Sequence, residues 1–209
     1  MIAMKTFSFK TLLASALMAF AVSSAGAAEI AGVKFDDTMK VGGKELKLNG
    51  LGIRTKFFVK VYAAGLYLQE KQSTPEGVLK SEGPRRMRLV IMREVTSDDF
   101  GNAFMAGLND NVSAAEKGKI VGQISKFGEM FALLESLKKG DVLDLDWVPG
   151  VGTANFLNGK PIGDVTQDQT FYNAVLKIWL GPKPVDSGLK PKLLAPAVAA
   201  APAPAPVQR

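Results

Sequence analysis

The chain has 209 residues, with 26 basic and 20 acidic side chains and a formal charge of +6, and it contains neither cysteine nor histidine. These absences exclude disulfides, Ser-His-Asp and Cys-His nucleophiles, and metal sites built from His or Cys. Removing Lys5 and Lys10, with no acidic residue lost, lowers the charge from +6 to +4. This mild excess allows membrane association without indicating it, and interspersed charges without an aromatic platform argue against nucleic acid.

The first residues have the composition of a secretion signal. A basic start precedes an apolar run at Thr11–Val22 that is short for a membrane span, and Ala25–Ala27 fits the small-residue rule for signal-peptidase cleavage. We therefore predict a signal peptide over residues 1–27 and a periplasmic or secreted mature chain that begins near Ala28 or Glu29. An uncleaved N-terminal anchor is the alternative.

The last residues, 195–209, are mostly alanine and proline with some valine. Such a composition cannot bury a core, so we predict a disordered Ala/Pro-rich tail. Residues 28–194 remain, and their length is typical of one domain.

Residues 28–194 alternate between strand-like and helix-like patterns. Strands followed by a helical block, further strands and a last helix predict an α+β domain with a mainly antiparallel sheet. In chain order, the predicted elements are strands at Val33–Phe35, Met39–Val41, Glu45–Leu48 and Gly50–Leu68, a short helix from Pro75, a strand at Arg86–Met92, a helix through Phe100, Phe104 and Leu108, a helix at Ala114–Leu137, strands at Asp141–Val148, Thr153–Leu157 and Lys160–Ile162, and a helix that ends before Gly181.

Local signals mark the ends of several elements. Thr74 is predicted to cap the first helix, and Thr96 or Ser97 to cap the second. Glycines within residues 114–137 lower the helix propensity, so we expect that helix to be broken or closely packed. Asn158-Gly159 predicts a hairpin turn.

Charged side chains cluster on two of the predicted strands. We interpret Arg85, Arg86, Arg88 and Arg93 as a solvated face, and a lipid head-group patch is the alternative. Solvent exposure and the helix dipole are sufficient reasons for the nearby acidic residues. Their spacing does not match a calcium-binding loop, so we predict no metal site there. These acids are Asp98, Asp99, Asp144 and Asp146.

The most informative segment is Gly50–Leu68, which reads GLGIRTKFFVKVYAAGLYL. Its glycines, Arg54 and the Val-Tyr-Ala-Ala-Gly-Leu-Tyr run resemble the chalcone isomerase-like superfamily. The resemblance extends to residues 140–160, and the closing run FYNAVLKIWLG is similar to the exported bacterial branch. It implies an open-faced β-sandwich, in which a large antiparallel sheet carries a helical layer on one face. A cleft between sheet and helices holds a flavonoid in the plant isomerases and a fatty acid in their non-catalytic relatives.

The resemblance also implies a ligand site. Arg54 matches the arginine that guides the substrate in the isomerases and pairs with the carboxylate in the fatty-acid binders. Tyr62 falls where the fatty-acid binders have a tyrosine and the plant isomerases a threonine. Phe100 and Gly107 stand where the isomerases carry tyrosine and asparagine, and Tyr172 where they carry serine or threonine. The implied ligand-binding residues are Arg54, Tyr62, Phe100 and Tyr172, with no metal and no cofactor.

The residues at these positions favour binding over catalysis. Chalcone cyclisation needs polar donors around a developing enolate oxygen, and the side chains of Phe100 and Gly107 supply none. Arg54 has a planar fork that matches a carboxylate. In one continuous strand Arg54 and Tyr62 would lie roughly 26 Å apart. A shared head group therefore requires a turn near Lys56–Phe58, where the sequence has no Gly, Pro or Asn.

Three hypotheses remain open. The first is an exported, non-catalytic protein that binds a small amphiphilic, fatty-acid-like carboxylate, with its head at Arg54 and its tail against apolar residues. The second is an isomerase or intramolecular lyase that acts on a chalcone-like or other conjugated carbonyl compound, with Arg54 as electrophile and Tyr62 as acid. The third is an interaction partner without a ligand, in which the tail is a spacer, and a filled cleft would favour it.

Overall fold

The computed structural model describes residues 26–132 and 134–194. The predicted tail and nearly all of the predicted signal peptide lie outside these residues. The strands are β1 (Ala27–Ile30), β2 (Val33–Asp36), β3 (Thr38–Val41), β4 (Lys44–Lys56), β5 (Val59–Leu68), β6 (Arg85–Ile91), β7 (Val95–Thr96), β8 (Ser136–Leu137), β9 (Val142–Val148), β10 (Gly152–Leu157) and β11 (Lys160–Thr166). The helices are α1 (Pro75–Lys80), α2 (Ser97–Asn111), α3 (Ala114–Lys119), α4 (Val121–Ala132), α5 (Gln169–Leu180) and α6 (Leu189–Leu193).

One large sheet organises the domain. Its strands lie in the order β11-β10-β9-β6-β5-β4-β3, and every neighbouring pair is antiparallel. The helices and one face of the sheet enclose the main core, while a smaller core forms where the β1–β2 hairpin packs on the other face. This arrangement confirms the predicted α+β, open-faced β-sandwich. No helix in the described ranges combines the length and apolar character that a membrane span requires.

Strand β5 is buried on both faces, which explains its nearly continuous apolar sequence. Tyr62 and Leu66 face the helices, whereas Ala63 and Tyr67 face the smaller core. The Tyr67 hydroxyl donates to the backbone carbonyl of Asp36 at 2.9 Å, which ties the β1–β2 hairpin to the sheet. The buried centre of the sheet therefore supports Tyr62, which lies near the beginning of β5.

The single strand expected over Gly50–Leu68 is wrong, because a tight turn at Phe57 and Phe58 divides it into β4 and β5. This is the turn that a head group shared by Arg54 and Tyr62 requires. Lys56 pairs with Val59, and Phe57 and Phe58 form a two-residue loop with φ angles of 49° and 65°. Asn-Gly is the usual solution for positive φ at both loop positions. Two phenylalanines adopt this conformation instead, at a cost on the order of 1–2 kcal/mol each.

This hairpin makes Arg54 and Tyr62 direct cross-strand partners. The next pair along the ladder is Thr55 with Lys60, so Val61 is the extra residue of a β-bulge. Bulges occur preferentially beside functional sites because they change the direction of a side chain. The chain thus brings together two candidate residues that an extended strand would separate.

Helix α6, which the sequence pattern did not predict, crosses the middle of β4. A Cβ atom on Gly50 would clash with the carbonyl oxygen of Lys192, and one on Gly52 would lie 2.7 Å from the Leu189 side chain. The Asn49 side chain also donates to the Leu193 carbonyl at 2.7 Å. The glycines of the Gly50–Leu68 segment therefore permit close helix-on-strand packing.

The helical layer departs from the sequence pattern in one place. The helix expected over Ala114–Leu137 is divided at Ile120 into α3 and α4, and α4 ends at Ala132. Ser136–Leu137 instead pairs with Val95–Thr96 as β8 and β7. The predicted caps are present, because Thr74 and Thr96 both accept hydrogen bonds from backbone N–H groups of their helices.

The face opposite the helices carries ion pairs between β6 and β9. Arg86 donates to both carboxylate oxygens of Asp146 at 2.6 Å, and Arg88 donates to Asp144 at 2.7 and 2.8 Å. The Arg86 and Arg88 side chains are 13% and 23% exposed, and the two aspartates 4% and 5%. The expected solvated basic face is thus wrong here, because the strand register places each arginine opposite an aspartate.

Arg85 departs further from that expectation, because it is fully buried. It shares strand parity with Met87 and therefore faces the helices. Its Nη1 atom donates to the carbonyl of Val78 at 3.0 Å and to Oδ1 of Asn173 at 2.9 Å. Burial lowers the pKa of the Arg85 guanidinium. This side chain joins the end of α1 to α5.

Candidate functional site

A narrow pocket lies between the β4–β5 hairpin and helices α2 and α5. Its empty space, counted out to the open mouth, is about 290 Å³. The wall is largely apolar, with an arginine, a tyrosine and a tryptophan as its polar members. The lining residues are Arg54, Tyr62, Phe100, Ala103, Phe104, Ile178, Trp179 and Val185. Three of the four residues that the sequence predicted for ligand binding therefore share one pocket.

Arg54 enters this pocket from β4. Its Cζ atom lies 5.4 Å from the centroid of the Tyr62 ring, a cation–π arrangement. Its Nε atom is buried and has no hydrogen-bond partner within the described residues. No described carboxylate forms an ion pair with it. A buried guanidinium N–H in this state has strong unused capacity for an anionic acceptor.

Tyr62 is positioned by a residue that sequence reasoning did not select. The indole Nε1 of Trp179 donates to the Tyr62 hydroxyl oxygen at 2.8 Å. Because an indole nitrogen can only donate, the phenolic proton of Tyr62 is left free for another acceptor. Burial raises the pKa of Tyr62, while Arg54 and the Trp179 hydrogen bond act in the opposite direction. The hydroxyl consequently stays protonated at neutral pH.

Arg54 and Tyr62 present two hydrogen-bond donors side by side at this pocket. Directly opposed side chains on antiparallel strands have Cβ atoms roughly 5 Å apart, a spacing that allows both to contact one head group. The Arg54 Nε–H and the Tyr62 O–H are both donors, and the surrounding wall is apolar. A carboxylate attached to a hydrocarbon chain matches this combination of donors and apolar surface.

Aromatic rings fill the interior behind the pocket. Phe100 stacks on Phe131 with centroids 4.4 Å apart, and Phe104 stacks on Phe127 at 4.3 Å. Phe127 also meets the edge of Phe171 at 5.7 Å. In this conformation the pocket is narrow, and a long hydrocarbon tail would have to displace rings between α2 and α4.

The structure does not bring Tyr172 to this pocket. Tyr172 is fully buried, and its hydroxyl donates to the carbonyl of Leu145 at 3.1 Å. Its ring lies 5.1 Å from the guanidinium carbon of Arg85, away from Arg54. Ligand binding by Arg54, Tyr62 and Phe100 stays a prediction that the pocket supports, and for Tyr172 the geometry gives no such support.

Gly107 has a packing explanation. A Cβ atom at this position would lie 2.7 Å from Cγ2 of Ile178, so glycine allows α2 to approach α5 closely. The position at which the isomerases carry an asparagine is therefore a contact between two helices in this protein. Within residues 26–132 and 134–194, no group of three or more Asp, Glu, His or Cys side chains is arranged to hold a metal ion.

A curved antiparallel sheet with its pocket between one face and a helical layer is the architecture of the chalcone isomerase-like class. The sequence model of the chalcone isomerase-like family matches residues 27–195, so the chain belongs to this family. A fatty-acid binding protein of Arabidopsis thaliana has a similar structure, with a TM-score of 0.65 over 81% of this chain and 96% of that chain. The two sequences are 15% identical, so this similarity concerns the fold. No curated protein matches the sequence.

Proposed function

We propose that this protein binds a small amphiphilic carboxylate, such as a fatty acid, and does not transform it chemically. The observation that carries the proposal is the buried Nε of Arg54, which has no partner within the described residues and lies beside a Tyr62 hydroxyl with a free proton. The name of the structurally similar Arabidopsis protein, a fatty-acid binding protein, supports the same ligand class.

The head group is the specific part of this interaction. A carboxylate at the pocket would accept from the Arg54 guanidinium and from the Tyr62 hydroxyl. Hydrogen bonds to charged groups contribute roughly 1.5–3 kcal/mol each, and the apolar wall lowers competition from water. Trp179 acts as a positioning residue, because its N–H occupies one lone pair of the Tyr62 oxygen and so orients the hydroxyl.

The tail is the part that requires movement. The Phe100–Phe131 and Phe104–Phe127 stacks join α2 to α4. We place the hydrocarbon tail between these helices, where aromatic side chains would exchange contacts with one another for contacts with the ligand. Apolar ligand pockets commonly use core faces in this way.

The alternative as an isomerase or intramolecular lyase has weaker support. Tyr62 would be the acid, and burial raises its pKa, so it is a poorer proton donor than an ordinary tyrosine. Phe100 and Gly107 supply no side-chain donors for an enolate oxygen. The third hypothesis, an interaction partner without a ligand, has one observation in its favour, namely the filled interior behind the pocket.

Calorimetry with palmitate and with the corresponding alcohol tests the proposal. The wild-type protein should bind the acid at least roughly tenfold more tightly than the alcohol, since each 1.4 kcal/mol of head-group interaction is a factor of ten. Arg54→Met should abolish this preference. Arg93→Met removes the same charge from an exposed position and should leave the preference unchanged. Equal binding of palmitate by Arg54→Met and wild type would contradict the assigned site.

We also propose that the chain is exported and acts outside the cytoplasm. The basic start, the short apolar run and the Ala25–Ala27 motif support this proposal. Cell fractionation with N-terminal sequencing should find a mature protein beginning near Ala28 in the periplasmic or secreted fraction. Recovery of the uncleaved chain in the cytoplasm would rule it out.

A further inference from the structure

The end of the β4–β5 hairpin is the most exposed apolar feature among the described residues. We call residues 56–60 the hairpin tip. Phe57 is 84% exposed and Phe58 102%, and the neighbouring Val59 is 44% exposed. Large aromatic side chains in a globular domain are normally much more buried than this. Two adjacent exposed phenylalanines therefore point to a contact with something outside the domain.

Folding stability does not supply that reason. Both phenylalanines have positive φ, a conformation that bulky residues rarely adopt. An Asn-Gly pair would form the same turn with less strain. The two phenylalanines therefore destabilise the turn, and they bury almost no apolar surface within the domain. Strained residues of this kind accumulate at functional sites.

The charges around the rings are mainly positive. Lys56 and Lys60 are exposed on the two sides of the loop, and the Lys56 ammonium lies 5.8 Å from the Phe57 ring centroid. At the base of the hairpin lies an acid, Asp186, whose carboxylate accepts from the backbone N–H of Thr55 at 2.9 Å. Asp186 is also occupied by the N–H groups of residues 188 and 189. The lysines therefore dominate the charge at the outermost end.

We propose that the hairpin tip docks into the interfacial region of an anionic lipid bilayer. Aromatic rings that enter the head-group and acyl boundary, flanked by lysines that meet anionic head groups, are the combination that interfacial anchoring uses. A convex tip with two rings also suits a bilayer better than a protein. Two buried aromatic side chains supply roughly 300–500 Å², whereas a stable protein interface buries about 800 Å² on each partner.

The location of the tip adds a consequence. Arg54 and Tyr62 belong to the same two strands, two residues beyond Lys56 and Lys60. Docking would bring the mouth of the pocket towards the membrane surface, where amphiphilic carboxylates partition. This consequence rests on the proposed function, but the membrane contact itself does not depend on any ligand.

Vesicle flotation with the purified protein tests the contact, with the same N-terminus in every variant. Vesicles of phosphatidylcholine with phosphatidylglycerol should bind the wild-type protein, and pure phosphatidylcholine vesicles should bind it more weakly. The double variant F57N/F58G removes both rings and installs the favoured turn pair. It should be at least as stable as the wild type in urea, yet bind the anionic vesicles roughly tenfold or more weakly.

Two further variants separate the contributions. K56Q/K60Q should reduce the preference for phosphatidylglycerol and the salt dependence of binding while the rings remain. Val121→Ser, at another exposed apolar position (66% exposed), should bind like the wild type. Palmitate calorimetry of Arg54→Met tests the ligand site and vesicle flotation of F57N/F58G tests the docking, so a failure of one proposal is distinguishable from a failure of the other.

Three results would overturn the proposal. The first is equal vesicle binding by F57N/F58G and wild type, and the second is no binding by the wild type to phosphatidylglycerol vesicles. The third is a concentration-dependent dimer in sedimentation velocity that F57N/F58G abolishes without a change in vesicle binding, because the rings would then meet a second copy of the chain.

Discussion

Two arginine environments on one sheet differ in what satisfies the guanidinium. On the face opposite the helices, Arg86 and Arg88 each meet an aspartate from β9 with two short hydrogen bonds. On the helix-facing side, Arg54 lies opposite a tyrosine, and its Nε has no partner within the described residues. The first environment is complete without a ligand, whereas the second has donors to offer.

Arginine therefore has a structural role on one face of the sheet, and on the other face it keeps an unused hydrogen-bond donor. An arginine that meets a fixed carboxylate gains its partner on folding, so the pair contributes to holding β6 against β9. Arg54 gains no such partner from the described residues, and its charge is the feature that an anionic ligand would recognise.

Removing one member of a covered ion pair should be costly. Asp146→Ala leaves Arg86 without its two short hydrogen bonds, although Asp144 remains 3.3 Å away. We expect the free energy of unfolding to fall by roughly 3 kcal/mol, because the remaining arginine charge would be buried without its partner. Urea denaturation measures the change. The double variant Arg86→Met/Asp146→Leu is the control, and its free energy of unfolding should fall much less. An equal fall in both variants would show that the unpaired arginine charge is not the cause.

The Tyr62–Trp179 contact should have an intermediate effect. Tyr62→Phe removes the acceptor of the Trp179 indole N–H at an almost completely buried position. A stranded buried donor costs about 1–3 kcal/mol, so we expect a destabilisation in that range. Urea denaturation checks it, and palmitate calorimetry on the same variant should show weaker binding. A variant as stable as the wild type would indicate that the indole finds another acceptor.

Arg54→Met should change stability much less than Asp146→Ala. The substitution removes a buried donor without a described partner and also removes the cation–π contact with Tyr62. These effects oppose each other, so we expect a change within about 1 kcal/mol in either direction. Urea denaturation at neutral pH, in the absence of ligand, measures it. A loss comparable to that of Asp146→Ala would mean that Arg54 is a structural residue.

A half-exposed ion pair, Lys177 with Glu116, supplies the smallest effect, because its carboxylate is much more exposed than those of Asp144 and Asp146. Lys177 and the backbone N–H of Ser113 lower the pKa of Glu116 to about 2 from 4.5. Because the folded state has the lower pKa, this stabilisation is present above about pH 4.5 and is lost as the pH falls towards 2. Glu116→Gln should therefore destabilise by a few tenths of a kcal/mol at pH 7, since solvent screens the pair.

Urea denaturation of Glu116→Gln and wild type across this pH range checks the sign. The difference between the two proteins should shrink as the pH falls from about 4.5 towards 2. A constant difference would show that the carboxylate charge of Glu116 does not contribute.

The sequence predicted much of the fold because local patterns and the global architecture agree. Alternating strands, Thr74 and Thr96 as caps, and Asn158-Gly159 as a turn all reflect short-range physical chemistry. No local turn residue marks Lys56–Phe58, so the sequence pattern indicated one strand over Gly50–Leu68. The turn there entered only as a condition for Arg54 and Tyr62 to reach one head group.

Features that depend on distant partners were not predicted. Strand parity with Met87 contained a signal for the burial of Arg85, but parity does not reveal the Val78 carbonyl or Asn173 that accept its hydrogen bonds. The Trp179 indole belongs to the predicted last helix, but its contact with Tyr62 spans 117 positions of sequence. Helix α6 is short, and its packing on Gly50 is evident only in three dimensions.

A crystal structure of the palmitate complex would test the anion-binding role of Arg54 most directly. We predict the carboxylate within hydrogen-bonding distance of the Arg54 guanidinium and the Tyr62 hydroxyl, with the tail between α2 and α4 and the Phe100 and Phe104 rings displaced. A complex with the carboxylate elsewhere on the protein, while the Arg54 Nε kept its present surroundings, would contradict that role.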